Sequence, residues 1–239
     1  MWGLCLPALL GAPLPTYQCY RAVDKIRVDG VLSEKTWRLA PTIEFVRWDG
    51  KRVGRGTRAK IAWDDENLYL AYEVEDDDIE CTMVLRDEHL WEEEVVEFFA
   101  DCDGDGEDYL EFEWNALGAC VDLFLPKPYF MRKSNLDGLL AWDAKGMRWA
   151  VRVEGTVAYP SDRDKGWTLE VAIPLRLFVD APNVPPKDGD VWRVNLYRIE
   201  RSGGRPEFSC FSPVLGEAPN FHKPERFGRL VFRRSPPPG

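Results

Sequence analysis

This 239-residue sequence predicts an all-β fold, an antiparallel β-sandwich of about ten strands in two sheets with little helix. Three observations carry that prediction. Short stretches alternate apolar and polar residues with a period of two, turn-forming Gly, Pro, Asn and Asp separate them at regular spacing, and 3.6-residue apolar periodicity is almost absent. No linker divides the chain, which reads as an N-terminal extension over 1–20, one sandwich over 21–233 and a disordered tail over 234–239.

In chain order, KIRVDG is a short strand, and LSEKTWRLA is a helical turn or two capped by Ser33, with Trp37 and Ala40 inward. A strand over 43–48 leads through the basic turn DGKRVGRG into TRAKIAW, where Ala59, Ile61 and Trp63 alternate with Arg58, Lys60 and Ala62. The turn WDDEN closes a hairpin with LYLAYEVE, whose Leu68, Leu70, Tyr72 and Val74 alternate with Tyr69, Ala71, Glu73 and Glu75. The acidic run over 75–78 reads as a solvated loop, with carboxylates for a cation as the alternative.

The central hairpin comes next. Val96, Phe98 and Ala100 face one way and Val95, Glu97 and Phe99 the other; after the turn DCDGDGED, Leu110, Phe112, Trp114 and Ala116 oppose Tyr109, Glu111, Glu113 and Asn115. With an odd number of turn residues, Glu97 shares a face with Glu111, Glu113 and Asn115, a polar β surface headed by Trp91. Further strands are CVDLFL, stopped by Pro126 and Pro128, then MRWAVRVEGTVAY, GWTLEVAIP, VWRVNLYRIE, the short aromatic EFSCFSP and RFGRLVFRR.

A net charge of −10 and a pI near 4.9 argue against nucleic acid and anionic membrane surfaces, which call for basic patches. Ten tryptophans suit ligands with apolar faces, sugars above all, although most such rings belong in a core. The six cysteines form no CxxC pair and no cluster with histidine, which disfavours zinc and leaves disulfides and buried thiols both open. The apolar start lacks a basic n-region and is broken by Pro7, Pro13 and Pro15, which favours a cytoplasmic over an exported protein. No apolar run reaches the ~20 residues of a membrane-spanning helix, so a soluble chain is expected.

The turn carrying Asp101, Asp103, Asp105 and Asp108 places carboxylates on alternate residues with glycines between them, as calcium requires, but has Phe112 where an EF-hand loop ends in an acid. A solvated acidic turn is the alternative. For catalysis, the two histidines His89 and His222 stand in no recognisable motif, and no GxSxG, HExxH or phosphate-cradling loop is present. Nothing marks any of Glu94, Glu97, Glu111 or Glu113 as a glycosidase acid. The chain is therefore not expected to be an enzyme.

The order of VDGVLSEKTWRLAP, AWDDENLYLAYEVED, WEEEVVEFFAD, NALG, GWTLEVAIP and ERFGRLVF resembles carbohydrate-binding module family 9 over 21–232. The resemblance implies two packed antiparallel sheets, structural calcium, and a saccharide end held between two tryptophans with Glu, Arg and Asn bonding its hydroxyls. Trp91 matches the first tryptophan, Glu97 the strand carboxylate and Asn115 the asparagine. Glu113 stands where the family has its arginine, and in place of the second tryptophan the nearest aromatics are Phe211 and Phe208. Asn195 and Arg198 are candidates to replace the lost hydroxyl contacts. The resemblance thus implies a non-catalytic, monomeric, calcium-containing module that binds an oligo- or polysaccharide of plant type in bacterial carbohydrate catabolism, beside a separate xylanase-like enzyme. The alternatives are a haem b sandwich subunit using Met83, Met131, Met147, His89 or His222, and a protein-binding scaffold.

Overall fold

The alternating stretches are strands in the computed structural model, which describes residues 13–128, 135–159 and 162–237. Among them are thirteen strands and two five-residue helices, α1 (Lys35–Leu39) and α2 (Leu136–Leu140). The strands are β1 (Thr16–Arg21), β2 (Ile43–Glu44), β3 (Val46–Arg47), β4 (Thr57–Trp63), β5 (Asn67–Glu75), β6 (Val95–Asp101), β7 (Tyr109–Trp114), β8 (Cys120–Leu125), β9 (Arg148–Glu154), β10 (Gly166–Pro174), β11 (Val191–Glu200), β12 (Glu207–Cys210) and β13 (Gly228–Arg233). Among the described residues, no helix is long and apolar enough to cross a membrane.

The fold is all-β as expected, but its strands share one hydrogen-bonded sheet in place of two, in the order β8-β7-β6-β11-β13-β1-β4-β5-β10-β9. The link is β1. All but its last residue lies in the expected N-terminal extension, and it runs parallel to both neighbours, setting Gln18 against Val231 and Tyr20 against Ala62. Residues 1–12 of that extension lie outside the described residues. Of the expected tail, Arg234 donates its backbone N–H to Asp188 at 2.8 Å, and 238–239 lie outside.

The sheet curls until its halves face each other. The main core takes Val96, Phe98, Phe112 and Trp114 from one half and Ile61, Leu70, Tyr72 and Leu169 from the other. Each such side chain gains roughly 1.5–3 kcal/mol on burial, so the inward row of each strand is what sets its register. A turn built on Asp64 closes the β4–β5 hairpin, its Oδ1 accepting the N–H groups of Glu66 and Asn67, both at 2.8 Å. α1 packs on the outer face of β4, β5 and β10, where Trp37 and Ala40 are buried with Ala62, Tyr69, Ala71 and Ala172, but its N-cap is Glu34 and not Ser33. Asp24 takes the N–H groups of Lys35 and Thr36 at 2.8 and 2.9 Å, from outside the helix. The five described cysteines are buried free thiols, and Cys5 lies outside the described residues.

A second, smaller cluster lies on the outward face of β6, β7, β8 and β11, where Phe99, Tyr109, Val121, Leu123 and Tyr197 pack under the loops before β6 and before β13. That covered outer face holds the candidate site.

Candidate functional site

Antiparallel pairing of β6 with β7 sets Glu97 directly opposite Glu113 and Phe99 opposite Glu111. With a side-chain period of two, all four point to the outer face. β11 adds Tyr197 opposite Glu97. Above this floor is a cavity of about 250 Å³. The 3₁₀ turn Leu90–Glu92 gives its wall Trp91, β12 gives it Phe208, and the loop before β13 gives it Phe221 and His222. His89 stacks on Trp91 with centroids 4.6 Å apart and planes 18° from parallel. Phe221 is held from below, stacked at 3.9 Å on Tyr197, whose hydroxyl donates to the Phe221 carbonyl at 2.9 Å.

Three carboxyl groups dominate the floor. Glu97, Glu111 and Glu113 are 2%, 2% and 1% exposed, and one oxygen of each lies within 4.8 Å of the others. Burial, and then their mutual repulsion, pushes the Glu97 and Glu111 carboxyls well above the usual range. Burial raises Glu113 less, to about 7, because hydrogen bonds from Glu111 and from the Trp91 backbone favour its charged form. Beside them, burial pushes the His222 imidazole down to about 4, so it is neutral at pH 7. Its Nδ1 lies 2.9 Å from the Tyr109 hydroxyl and 3.9 Å from Glu111 Oε2.

Of the sequence candidates, the structure brings Trp91, Glu97 and Glu113 together in this cavity. It does not bring Asn115, Asn195, Arg198 or Phe211 there. Asn115 is fully buried in the NALG turn, donating to Met83 O at 2.8 Å and accepting from Leu117 and Ala119 at 3.1 and 3.0 Å. Asn195 lies one step behind the wall, bonded to the Tyr197 hydroxyl and the Ser212 carbonyl at 2.8 and 2.9 Å. Arg198 points to the opposite face, where it pairs with Asp76 at 3.1 Å and with Glu200, and donates to Glu75 O at 2.8 Å. Asp76 is consequently buried, contrary to the solvated loop expected over 75–78. Phe211 packs against the main core, and Phe208 takes the wall position because the two residues lie on opposite sides of the chain.

Sequence reasoning placed Glu111 on the right face but weighed it only as a glycosidase acid, and weighed His222 only as a catalytic histidine or a haem ligand. Phe221 and Asn220 went unread. Their one signal is the triplet Asn-Phe-His in the long loop before β13, a polar–aromatic mix with no strand period to explain it. The haem candidates are scattered: Met147 is in the main core, Met83 packs on the outer cluster, His89 is exposed, and Met131 lies outside the described residues. Among the described residues, no methionine lines the cavity that His222 borders.

Two further acidic groups stand apart from the cavity. In the β6–β7 turn, carboxylate oxygens of Asp101, Asp103 and Asp105 lie within 4.8 Å of one another; Asp108 is not among them. Asp101 accepts the N–H groups of Gly104 and Gly106 at 2.8 and 3.0 Å, and burial raises its carboxyl to about 6. The second group, Asp76, Glu94 and Glu200, is buried against Arg198 and Arg55.

A family model described as carbohydrate-binding family 9 matches residues 28–232. Among solved structures, a candidate carbohydrate-binding protein from Bacteroides uniformis is similar, at 21% identity and a TM-score of 0.69, over 92% of this chain and 100% of that one. A family 9 carbohydrate-binding module from Caldicellulosiruptor kristjanssonii is similar at 17% identity and a TM-score of 0.63, over 91% of this chain, in its complexes with cellotriose (94% of that chain) and with glucose (96%). At these identities the likeness to solved structures is one of fold. Comparison with curated proteins gives no match.

Proposed function

The chain belongs to carbohydrate-binding family 9, a family of non-catalytic binding modules, and on that premise we propose that the cavity beside Trp91 holds a saccharide. The observation that carries the proposal is the pairing, in one cavity, of an indole wall with a floor of buried carboxyl groups. Trp91, Phe208 and Phe221 line it together with Glu97, Glu111 and Glu113. A pyranose has an apolar C–H face for the rings and a rim of hydroxyls for the carboxyls, so the two chemistries of the cavity match the two of the ligand. The ligand class is a plant-type oligo- or polysaccharide taken up in carbohydrate catabolism. In support, the fold-related Caldicellulosiruptor module is seen with cellotriose and with glucose.

Calcium is proposed as a structural ion in the β6–β7 turn. Asp101, Asp103 and Asp105 would hold it; their oxygens are close enough to share one hard cation, and the positive φ of Gly104 and Gly106 (81° and 90°) provides the tight curvature. It would neutralise a turn where Asp101 is already buried beside two like charges.

Calorimetric titration of the full chain with cellobiose, xylobiose and their alditols, in calcium and in EDTA, tests the saccharide proposal. Saturable heat with at least one sugar is expected. A folded protein that gives no heat with any of them would overturn it.

A further inference from the structure

The cavity floor gathers more buried acid than the hydroxyls of a neutral sugar require. Glu97 faces Glu113 directly across paired strands, with Glu111 on the same face, and like charges so placed would destabilise the sheet, so the trio can ionise together only beside a cation. Elsewhere this chain neutralises such a group: buried Asp76, Glu94 and Glu200 are served by Arg198 and Arg55. Among the described residues, the cavity trio has no such partner. Arg201, the cation that lines the cavity, spends Nη2 and Nε on the carbonyls of Trp91 and Glu93 at 2.8 and 3.3 Å. His222 is neutral. Glu111 Oε2 and Glu113 Oε2 are buried with no hydrogen-bond partner while lining the cavity, the arrangement of acceptors awaiting a donor.

We infer that the preferred ligand is a cationic amino sugar, a glucosamine-type residue with a free amine, whose ammonium sits among Glu97, Glu111 and Glu113 while its ring lies against Trp91. This rests on the saccharide reading above and puts an amino sugar in place of the plant-type class given there. An ammonium has three donors and no acceptor, which matches three acid side chains better than a hydroxyl does. A cation is also attracted to the faces of the surrounding Trp91, Phe208 and Phe221 rings. A bare metal ion would use the oxygens but leave the aromatic walls and most of the cavity of about 250 Å³ without a role.

The test is titration of the full chain at pH 7 with three disaccharides: β-1,4-linked glucosamine, its N-acetylated counterpart and cellobiose. Each is run with calcium and with EDTA, on wild type, Glu113→Gln and Glu97→Gln. The free-amine sugar is expected to bind wild type at least about tenfold tighter than either neutral one, and that ratio is expected to shrink to a few-fold in a variant that folds. The wild-type ratio stands whether or not a variant folds. Equal wild-type affinities for amine and neutral sugars would overturn the cationic ligand and leave the saccharide reading intact; no binding of any sugar would overturn both. Loss of the amine preference on adding calcium, with the ion itself binding at the trio, would also overturn it by making the floor a metal site.

Discussion

The Tyr72 hydroxyl donates to the backbone carbonyl of Glu97 at 2.9 Å, reaching across the core from one half of the curled sheet to the other. The strand that presents the central carboxyl of the cavity is thereby fastened from behind. Tyr72 is fully buried, so Tyr72→Phe removes the donor without changing the packing and should cost about 1 kcal/mol. Thermal unfolding should register that as a Tm lower by roughly 2–4 °C for a chain of this size. An unchanged Tm would mean that this bond adds nothing to the packing of β6 on the opposite half.

Arg198 is a structural cation, and its substitution separates that role from the ligand contact expected of it by sequence. Arg198→Met leaves Asp76 buried without its cation and Glu200 with Arg55 alone, and should destabilise by roughly 3–5 kcal/mol. Denaturant unfolding measures this. A variant of wild-type stability would contradict the structural role.

The two faces of β6 and β7 were legible from alternation, because the inward positions are apolar and the outward ones, Val95 apart, are polar or aromatic; that pattern placed Glu97 and Glu113 together, with Trp91 just before the first strand. Other parts were not. β1 has only Tyr17 and Cys19 as buried apolar residues, and its parallel partners Val231 and Ala62 lie far away in sequence, so nothing local announces it. Asn195 and Arg198 are three apart on one strand and therefore face opposite ways, which alternation alone forbids as a shared site. The loop carrying Phe221 and His222 has no period to read; its place is set by Tyr197 beneath it.

The carboxyl trio predicts an unusual pH profile. Glu113 is raised to about 7, against ~4.3 in an unfolded chain. Between those values the folded state binds the proton more tightly, so the stability present below pH ~4.3 is lost as pH rises through 7, by at most about 4 kcal/mol. His222 works in the other direction: lowered to about 4, it costs stability as pH falls from ~6.5 to 4. Glu97, Glu111 and Arg201 also face this site. Glu113→Gln should therefore gain in Tm relative to wild type as pH goes from 5 to 8. Parallel Tm curves would show that Glu113 does not titrate there.

Calcium at the aspartate turn should stabilise by mass action, by about 2.7 kcal/mol at a hundredfold excess over its dissociation constant. The expected result is a Tm several degrees higher in calcium than in EDTA, with the difference abolished in Asp103→Asn/Asp105→Asn. Identical Tm values in the two buffers would show that the turn holds no calcium.

The most direct test of the saccharide site is the affinity of wild type and Trp91→Ala for one sugar that binds, measured by calorimetry on protein shown folded by its Tm. Trp91 is only partly buried and belongs to a short surface turn, so its loss should spare the fold. An affinity at least about tenfold weaker in the variant is the predicted result, in keeping with the loss of a central aromatic anchor. Equal affinity would place the sugar somewhere other than this cavity.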